Sequence, residues 1–132
     1  MRNKLEHRGY AAAELGPVLD ALEAEGLLED RRFAESFVTS RRLRGFGPVK
    51  IRLELQQRGV DAELVDASCN PADPLWCEQA VRVWRKRFAQ TPPDSYRAWA
   101  RQARYLQQRG FDASQIHAAL GDYDEHSNGD EP

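Results

Sequence analysis

The chain has 132 residues, 41% of them hydrophobic and 30% charged, with a formal net charge of −2 at neutral pH, a balance that suits one modest domain or a short row of repeats around small cores. No apolar run approaches the roughly 20 residues needed to span a bilayer, and Met1-Arg2-Asn3-Lys4 leads into no apolar leader segment. A cytoplasmic protein with no membrane partner is therefore expected.

Residues 1–8 read as the end of a helix that begins at or before the chain start. A second helix is predicted over 13–25, where Gly16-Pro17 is tolerable only near the first turn. Gly26 is expected to stop it, and Asp30 to cap a third helix running to about Leu43 with Phe33, Ala34 and Phe37 turned inward. Gly45-Phe46-Gly47-Pro48 then breaks and restarts the chain, Pro48 fitting the first position of a helix.

The fourth helix, 48–58, is apolar on two sides, with Ile51 and Leu55 on one and Val49 and Leu53 on the other, which predicts a place between neighbours. A short fifth helix over 61–68 leads into Cys69-Asn70-Pro71-Ala72, and Asp73-Pro74 opens a sixth that runs to about Phe88. At helical spacing, Trp76, Ala80, Val83, Trp84 and Phe88 share one broad side of that sixth helix, with Arg82, Arg85 and Lys86 opposite. Arg87 falls among the apolar residues and is expected to snorkel. Gln90-Thr91-Pro92-Pro93 forms a stiff linker, after which Asp94 or Ser95 caps a seventh helix through Arg109. In that helix Tyr96, Trp99, Ala103 and Leu106 share one side, and Arg97, Arg101 and Arg104 another. An eighth helix, 113–120, is stopped by Gly121, and residues 122–132, with five acids and no Lys or Arg, make an acidic tail expected to be disordered.

One phrase recurs through this pattern: Leu-x-x-Arg-Gly followed by an apolar residue, at Leu5 to Tyr10, Leu55 to Val60 and Leu106 to Phe111, about 50 residues apart. It is a helix stop. The leucine of the last turn meets the core, and the arginine suits the negative end of the helix dipole. The glycine takes the left-handed conformation beyond the helix, and the apolar residue packs back over the turn. Asp61 and Asp112 stand ready to cap the helices that follow, with Gln115 completing a capping box with Asp112. No strand-length alternation of apolar and polar residues occurs anywhere. The fold is therefore predicted to be all-α, built from helix-Gly-helix units in tandem three-helix repeats that complete one another's cores by stacking. The boundaries expected are 1–44 for an N-terminally short first repeat, 45–89 for the second, 90–121 for a third with two clear helices, and 122–132 for the tail.

The net charge conceals segregation. Residues 31–58 and 76–109 each carry eight Lys and Arg against two Asp and Glu, while the intervening and flanking segments are acidic. A solvated helix face normally mixes its charges, and like charges crowded on adjacent helices repel one another unless an anionic partner relieves them. The candidate binding residues are Arg41, Arg42, Arg44, Lys50 and Arg52 in the middle of the chain, and Arg82, Arg85, Lys86, Arg97, Arg101 and Arg104 further on. Tyr105, beside the arginine row, is the candidate exposed aromatic. Trp76, Trp84 and Trp99 fall on apolar stripes and read as core packing rather than base-stacking platforms.

Nothing points to catalysis. The chain holds no phosphate-binding loop, no Gly-x-Ser-x-Gly, no His-Glu-x-x-His and no dinucleotide fingerprint, so an enzyme is not expected, nor is a cofactor. Cys69 and Cys77 flank a Pro-containing loop and read as unpaired thiols, and His7, His117 and His126 lie far apart, so no metal site is expected either.

The sequence resembles the RecX family of bacterial recombinase regulators. The likeness rests on Gly26-Leu27-Leu28-Glu29-Asp30-Arg31-Arg32-Phe33-Ala34-Glu35-Ser36-Phe37, on Arg41-Arg42 with Gly45-x-Gly47-Pro48, and on Ile51-Arg52-x-Glu54-Leu55-x-x-Arg58-Gly59-Val60. The run Arg104 to Phe111, with Ile116 and Leu120, extends it, so that it covers about residues 4 to 121. The resemblance implies an elongated, curved array of three-helix repeats with a basic concave side. It also implies a protein, expected to act as a monomer, that binds the RecA filament on single-stranded DNA. In that role it would restrain filament extension, ATP hydrolysis, strand exchange and the coprotease activity, and so modulate recombination and SOS repair. The competing reading from charge alone is an independent DNA-binding helical module. Family members carry residues ahead of the first Leu-x-x-Arg-Gly unit, whereas this chain starts inside that helix, so the first repeat is expected to be the least stable.

Overall fold

Side-chain caps open the helices that start at Pro74, Tyr96 and Ala113, whereas Asp61, expected to cap the helix that follows it, stands at the N-cap position of the helix starting at Ala62 without a side-chain cap hydrogen bond. The computed structural model describes residues 12–89 and 91–123, which form α1 Ala12–Leu43, α2 Pro48–Gln57, α3 Ala62–Ser68, α4 Pro74–Phe88, α5 Tyr96–Arg109 and α6 Ala113–Leu120, with no strand among the described residues. The helix expected over 1–8, the first Leu-x-x-Arg-Gly phrase and residues 124–132 of the expected tail lie outside the described residues. Asp73 accepts from the Leu75 amide at the start of α4 and Ser95 from the Ala98 amide at the start of α5. Asp112 and Gln115 form a reciprocal capping box on α6. Gly59 and Gly110, the glycines of the second and third phrases, both take positive φ, +85° and +103°, the conformation that closes a helix where a side chain would clash. No helix among the described residues is long and apolar enough to cross a membrane.

Two expectations about elements are corrected. The second and third helices expected over 13–25 and from Asp30 are one continuous α1 of 32 residues, because Gly26 does not stop it. Its neighbours, Ala21 to Glu25 and Leu27 to Glu29, are mostly strong helix formers, and one interior glycine costs only about 1 kcal/mol. The capping Asp30 stands four residues on, too late to cap a restart, whereas Asp61 and Asp112 follow their glycines by two. The second correction concerns α2, which was expected between neighbours. Ile51 and Leu55 are buried, but Val49 and Leu53 are about half exposed, so the helix meets its second neighbour through its first turn, at Val49 and Lys50, rather than along a whole second apolar side.

The cores phase the units. Ala34, Phe37 and Val38 of α1 pack with Ile51 and Leu55 of α2, Val65 of α3, Cys69 and Trp76. A second cluster joins Ala80 of α4, Leu106 of α5 and Phe111, with Trp84, Ile116 and Leu120 against it. α4 packs mainly against α6. Packing therefore groups α1–α3 and α4–α6, one helix out of step with a grouping that starts a unit at residue 45 or 90. The reason is that the second and third Leu-x-x-Arg-Gly phrases, at 55–60 and 106–111, each form the tight hairpin inside a unit, between its second and third helices.

The two groups meet where α2 begins. The Gly47 amide donates to the Arg109 carbonyl and the Val49 amide to the Gly110 carbonyl, both at 2.8 Å. A Cβ on Gly47 would lie 2.5 Å from the Gly110 oxygen, and one on Gly110 would lie 2.5 Å from the Lys50 Cβ. Only glycine on both sides permits backbones this close.

Candidate functional site

Three buried glutamines tie the walls of the site together. Gln79 donates to the Arg42 carbonyl at 2.6 Å, fixing α4 against the end of α1. Gln102 donates to the Thr91 carbonyl and accepts from the Trp84 indole at 2.7 Å, fixing α5 against α4. Gln115 donates to the Pro71 carbonyl at 3.0 Å, tying α6 to the segment between the two units. Each of these amides is satisfied by a backbone, indole or guanidinium partner, the Gln79 oxygen accepting from Arg82 at 3.0 Å.

Between the end of α1 and the exposed side of α4 and α5 lies a cleft of about 490 Å³. Six cations line it: Arg42 and Arg44 from α1 and its end, Arg82, Lys86 and Arg87 from α4, and Arg109 from α5. A second cleft of about 390 Å³ adjoins it, lined by Arg101, Arg104, Phe88 and Gln108 and sharing Arg87 and Tyr105 with the first. Among the described residues, no carboxylate lines either cleft. Arg87 forms the ridge between them, its guanidinium 5.2 Å from the Tyr105 ring centre and 5.5 Å from that of Phe88, where cation–π attraction holds it over the rings.

Of the residues expected to bind, the structure brings Arg42, Arg44, Arg82 and Lys86 into the first cleft and Arg101 and Arg104 into the second. The others lie elsewhere. Arg41 is half-buried and paired with Glu54 at 2.9 Å, and Arg52 binds Asp66 at 2.7 Å and the Cys69 carbonyl at 2.8 Å. Both hold the first unit together. Lys50 stands 5.3 Å from the Phe46 ring centre, Arg85 sits in a shallow depression beside Glu78, and Arg97 is exposed outside both clefts.

Arg87 and Arg109 were missed as cleft residues. Arg87 had been set among apolar neighbours, and its contact with two rings is the form that snorkelling takes here. Arg109 read only as a helix-end cation. It donates from Nε to the Gly45 carbonyl at 3.2 Å, reaches the Arg44 carbonyl, and lies 4.3 Å from the Phe46 ring centre. The signal that points to it is the repeated phrase, since Arg58, its counterpart in the previous copy, likewise covers a phenylalanine, Phe37, at 4.9 Å. The tryptophans serve packing: Trp76 is buried and Trp99 donates its indole to the Gly121 carbonyl. Tyr105 is half-buried, while Tyr96, expected on the apolar side of its helix, is 59% exposed and rests on Trp99 and Tyr123.

Fold and surface together define a tandem three-helix protein with two adjoining cationic clefts whose linings, among the described residues, hold no carboxylate. The family model for RecX, second three-helix domain, matches residues 30–68, and the one for RecX, third three-helix domain, matches residues 77–120. A regulatory protein RecX of Halorhodospira halophila is 46% identical over 125 residues, covering 95% of this chain and 78% of that protein. One from Chromohalobacter salexigens is 41% identical over 120 residues, covering 91% and 78%, and one from Pseudomonas entomophila 38% over 124 residues, covering 94% and 80%. The chain belongs to the RecX family of regulatory proteins.

Proposed function

We propose that this chain regulates the RecA recombinase by binding its nucleoprotein filament on DNA, restraining filament extension and with it ATP hydrolysis, strand exchange and coprotease activity. It acts in the cytoplasm, as a binding protein with no catalysis of its own. Family membership supports the reading, and the observation that carries it is the pair of adjoining clefts with eight cations and no carboxylate among their described lining residues. Such a surface is built for a partner dense in negative charge, because the guanidinium forks match carboxylate and phosphate oxygens and repel one another until an anion arrives.

The test is a titration of RecA ATPase on single-stranded DNA with this protein. Inhibition is expected below one molecule per RecA subunit, since blocking growth at one point silences many subunits. Turnover that stays unchanged at equimolar protein overturns the proposal.

A further inference from the structure

We infer that the acidic segment 124–132 turns back along α5 onto Arg104, Arg101 and the clefts beyond, so that the chain carries its own competitor for the cationic face. This intramolecular contact goes beyond the function proposed above and holds whichever anion the face serves.

Three observations carry it. First, the chain is fastened beside that face as it leaves α6. The Trp99 indole donates to the Gly121 carbonyl at 3.0 Å, Asp122 meets the His117 Nδ1 at 3.0 Å, and the Tyr123 ring centre lies 5.2 Å from that of Tyr96 and 6.4 Å from that of Trp99. These successive contacts set the point from which the segment starts. Second, a hollow of about 560 Å³ joins that point to the clefts. Asp122 and Trp99 line it together with Arg104, and Arg104 also lines the second cleft, where Arg101 and Arg87 follow. Third, charge and length match. Residues 124–132 hold Asp124, Glu125, Asp130 and Glu131 and no Lys or Arg. Nine residues reach at most about 30 Å, whereas the 14 residues of α5 extend about 21 Å. The segment is long enough to run the whole helix.

Elsewhere the fold pairs its arginines with acids, Arg41 with Glu54 and Arg52 with Asp66. The clefts hold no carboxylate among their described lining residues, and segment 124–132 supplies what they lack. A short tether keeps it at an effective concentration in the millimolar range, so weak, salt-screened pairs suffice to occupy the row. An incoming polyanion must displace the segment, which lowers its apparent affinity and favours partners dense enough in charge to win the exchange.

The test compares full chains. One variant neutralises the segment: Asp124→Asn, Glu125→Gln, Asp130→Asn, Glu131→Gln. A control removes the same four negative charges from exposed positions of α1: Asp20→Asn, Glu25→Gln, Glu29→Gln, Asp30→Asn. Circular dichroism should show the helicity of the wild type in both. In heteronuclear NMR at low salt, the guanidinium signals of Arg101 and Arg104 should move in the segment variant and not in the control, and high salt should erase the difference from the wild type. Fluorescein-labelled heparin, followed by anisotropy at low salt, should bind the segment variant about fivefold more tightly than the control, because displacement is no longer required. In an Arg101→Ala, Arg104→Ala background that advantage should fall below about twofold, since the segment has lost its seat. Equal heparin affinity for segment variant and control overturns the inference, leaving net charge as the whole effect. Unmoved Arg101 and Arg104 signals, or an advantage that survives without those arginines, overturn it as well. Neither readout contains RecA, so RecA turnover that ignores the wild type strikes the proposed function alone, and failure of the segment contact leaves that function standing.

Discussion

Cys69 is a case of burial setting chemistry. Its thiol donates to the Pro48 carbonyl at 3.8 Å and is almost wholly buried. Burial pushes its pKa from 9.0 to about 11, opposed in part by the Arg52 guanidinium. A thiol whose folded pKa lies above its unfolded value keeps its proton in the fold after the unfolded chain has lost it. The stability it supplies is therefore complete below about pH 9 and is lost as pH rises towards about 11, an effect of roughly 3 kcal/mol at most. Urea midpoints at pH 8 and pH 10.5 should fall more steeply for the wild type than for Cys69→Ala, and equal slopes would show that the thiol is not sealed. The same burial shields it from alkylation, since only the thiolate attacks, and half-exposed Cys77 should react first. At this scale the sequence is least legible. Gln79, Gln102 and Gln115 look like solvent-facing residues by type, yet each is at most 4% exposed. Position is the clue that type conceals: Gln102 stands four residues after Ala98 and four before Leu106, on the buried line of α5.

Elements were legible wherever two signals agreed. α4, α5 and α6 begin and end within a residue of their expected bounds because an Asp or Ser cap, a helical apolar period and a terminating residue all point the same way. Gly26 shows what one signal alone is worth. It was expected to act as Gly59 does, but it lies inside α1 with nothing within 4 Å of its would-be Cβ, whereas Gly59 sits at φ +85°. The two therefore respond oppositely to the same change. Gly26→Ala should raise helical content and stabilise α1 by about 0.5 to 1 kcal/mol, by removing backbone freedom from the unfolded chain. Gly59→Ala should destabilise by about 1 kcal/mol, because alanine must bear the left-handed strain. Far-ultraviolet circular dichroism with urea titration separates them. A Gly26→Ala variant that lost helicity would restore the expected break.

At the scale of the molecule, the site depends on how two helical groups are held, and charge segregation in the sequence pointed to a basic face without showing its depth. A linear pattern places Arg44 and Arg109 in separate repeats, 65 residues apart; folding makes them opposite walls of one cleft. Arg109 is the strut. Its guanidinium bridges the Gly45 and Arg44 carbonyls and covers Phe46, while its own carbonyl receives the Gly47 amide, so side chain and backbone of one residue grip the same loop from two directions. Hydrogen bonds from a charged donor contribute about 1.5 to 3 kcal/mol each when their loss leaves buried acceptors unsatisfied, although the partial exposure of this cluster favours the lower end. Arg109→Ala should therefore loosen the joint without melting either core, because Leu106 and Phe111 remain packed with Ala80. Native-state hydrogen exchange is the direct measurement. The Gly47 and Val49 amides, which bond across the joint, should lose about tenfold or more of their protection, while the Ile116 amide, capped within α6, should keep its own. Arg109→Lys keeps the charge but not the planar fork or the stacking, and should rescue little. If Gly47 and Val49 stay fully protected in Arg109→Ala, the glycine contact alone holds the units together, and the walls of the cleft are set by backbone packing rather than by the arginine of the repeated phrase.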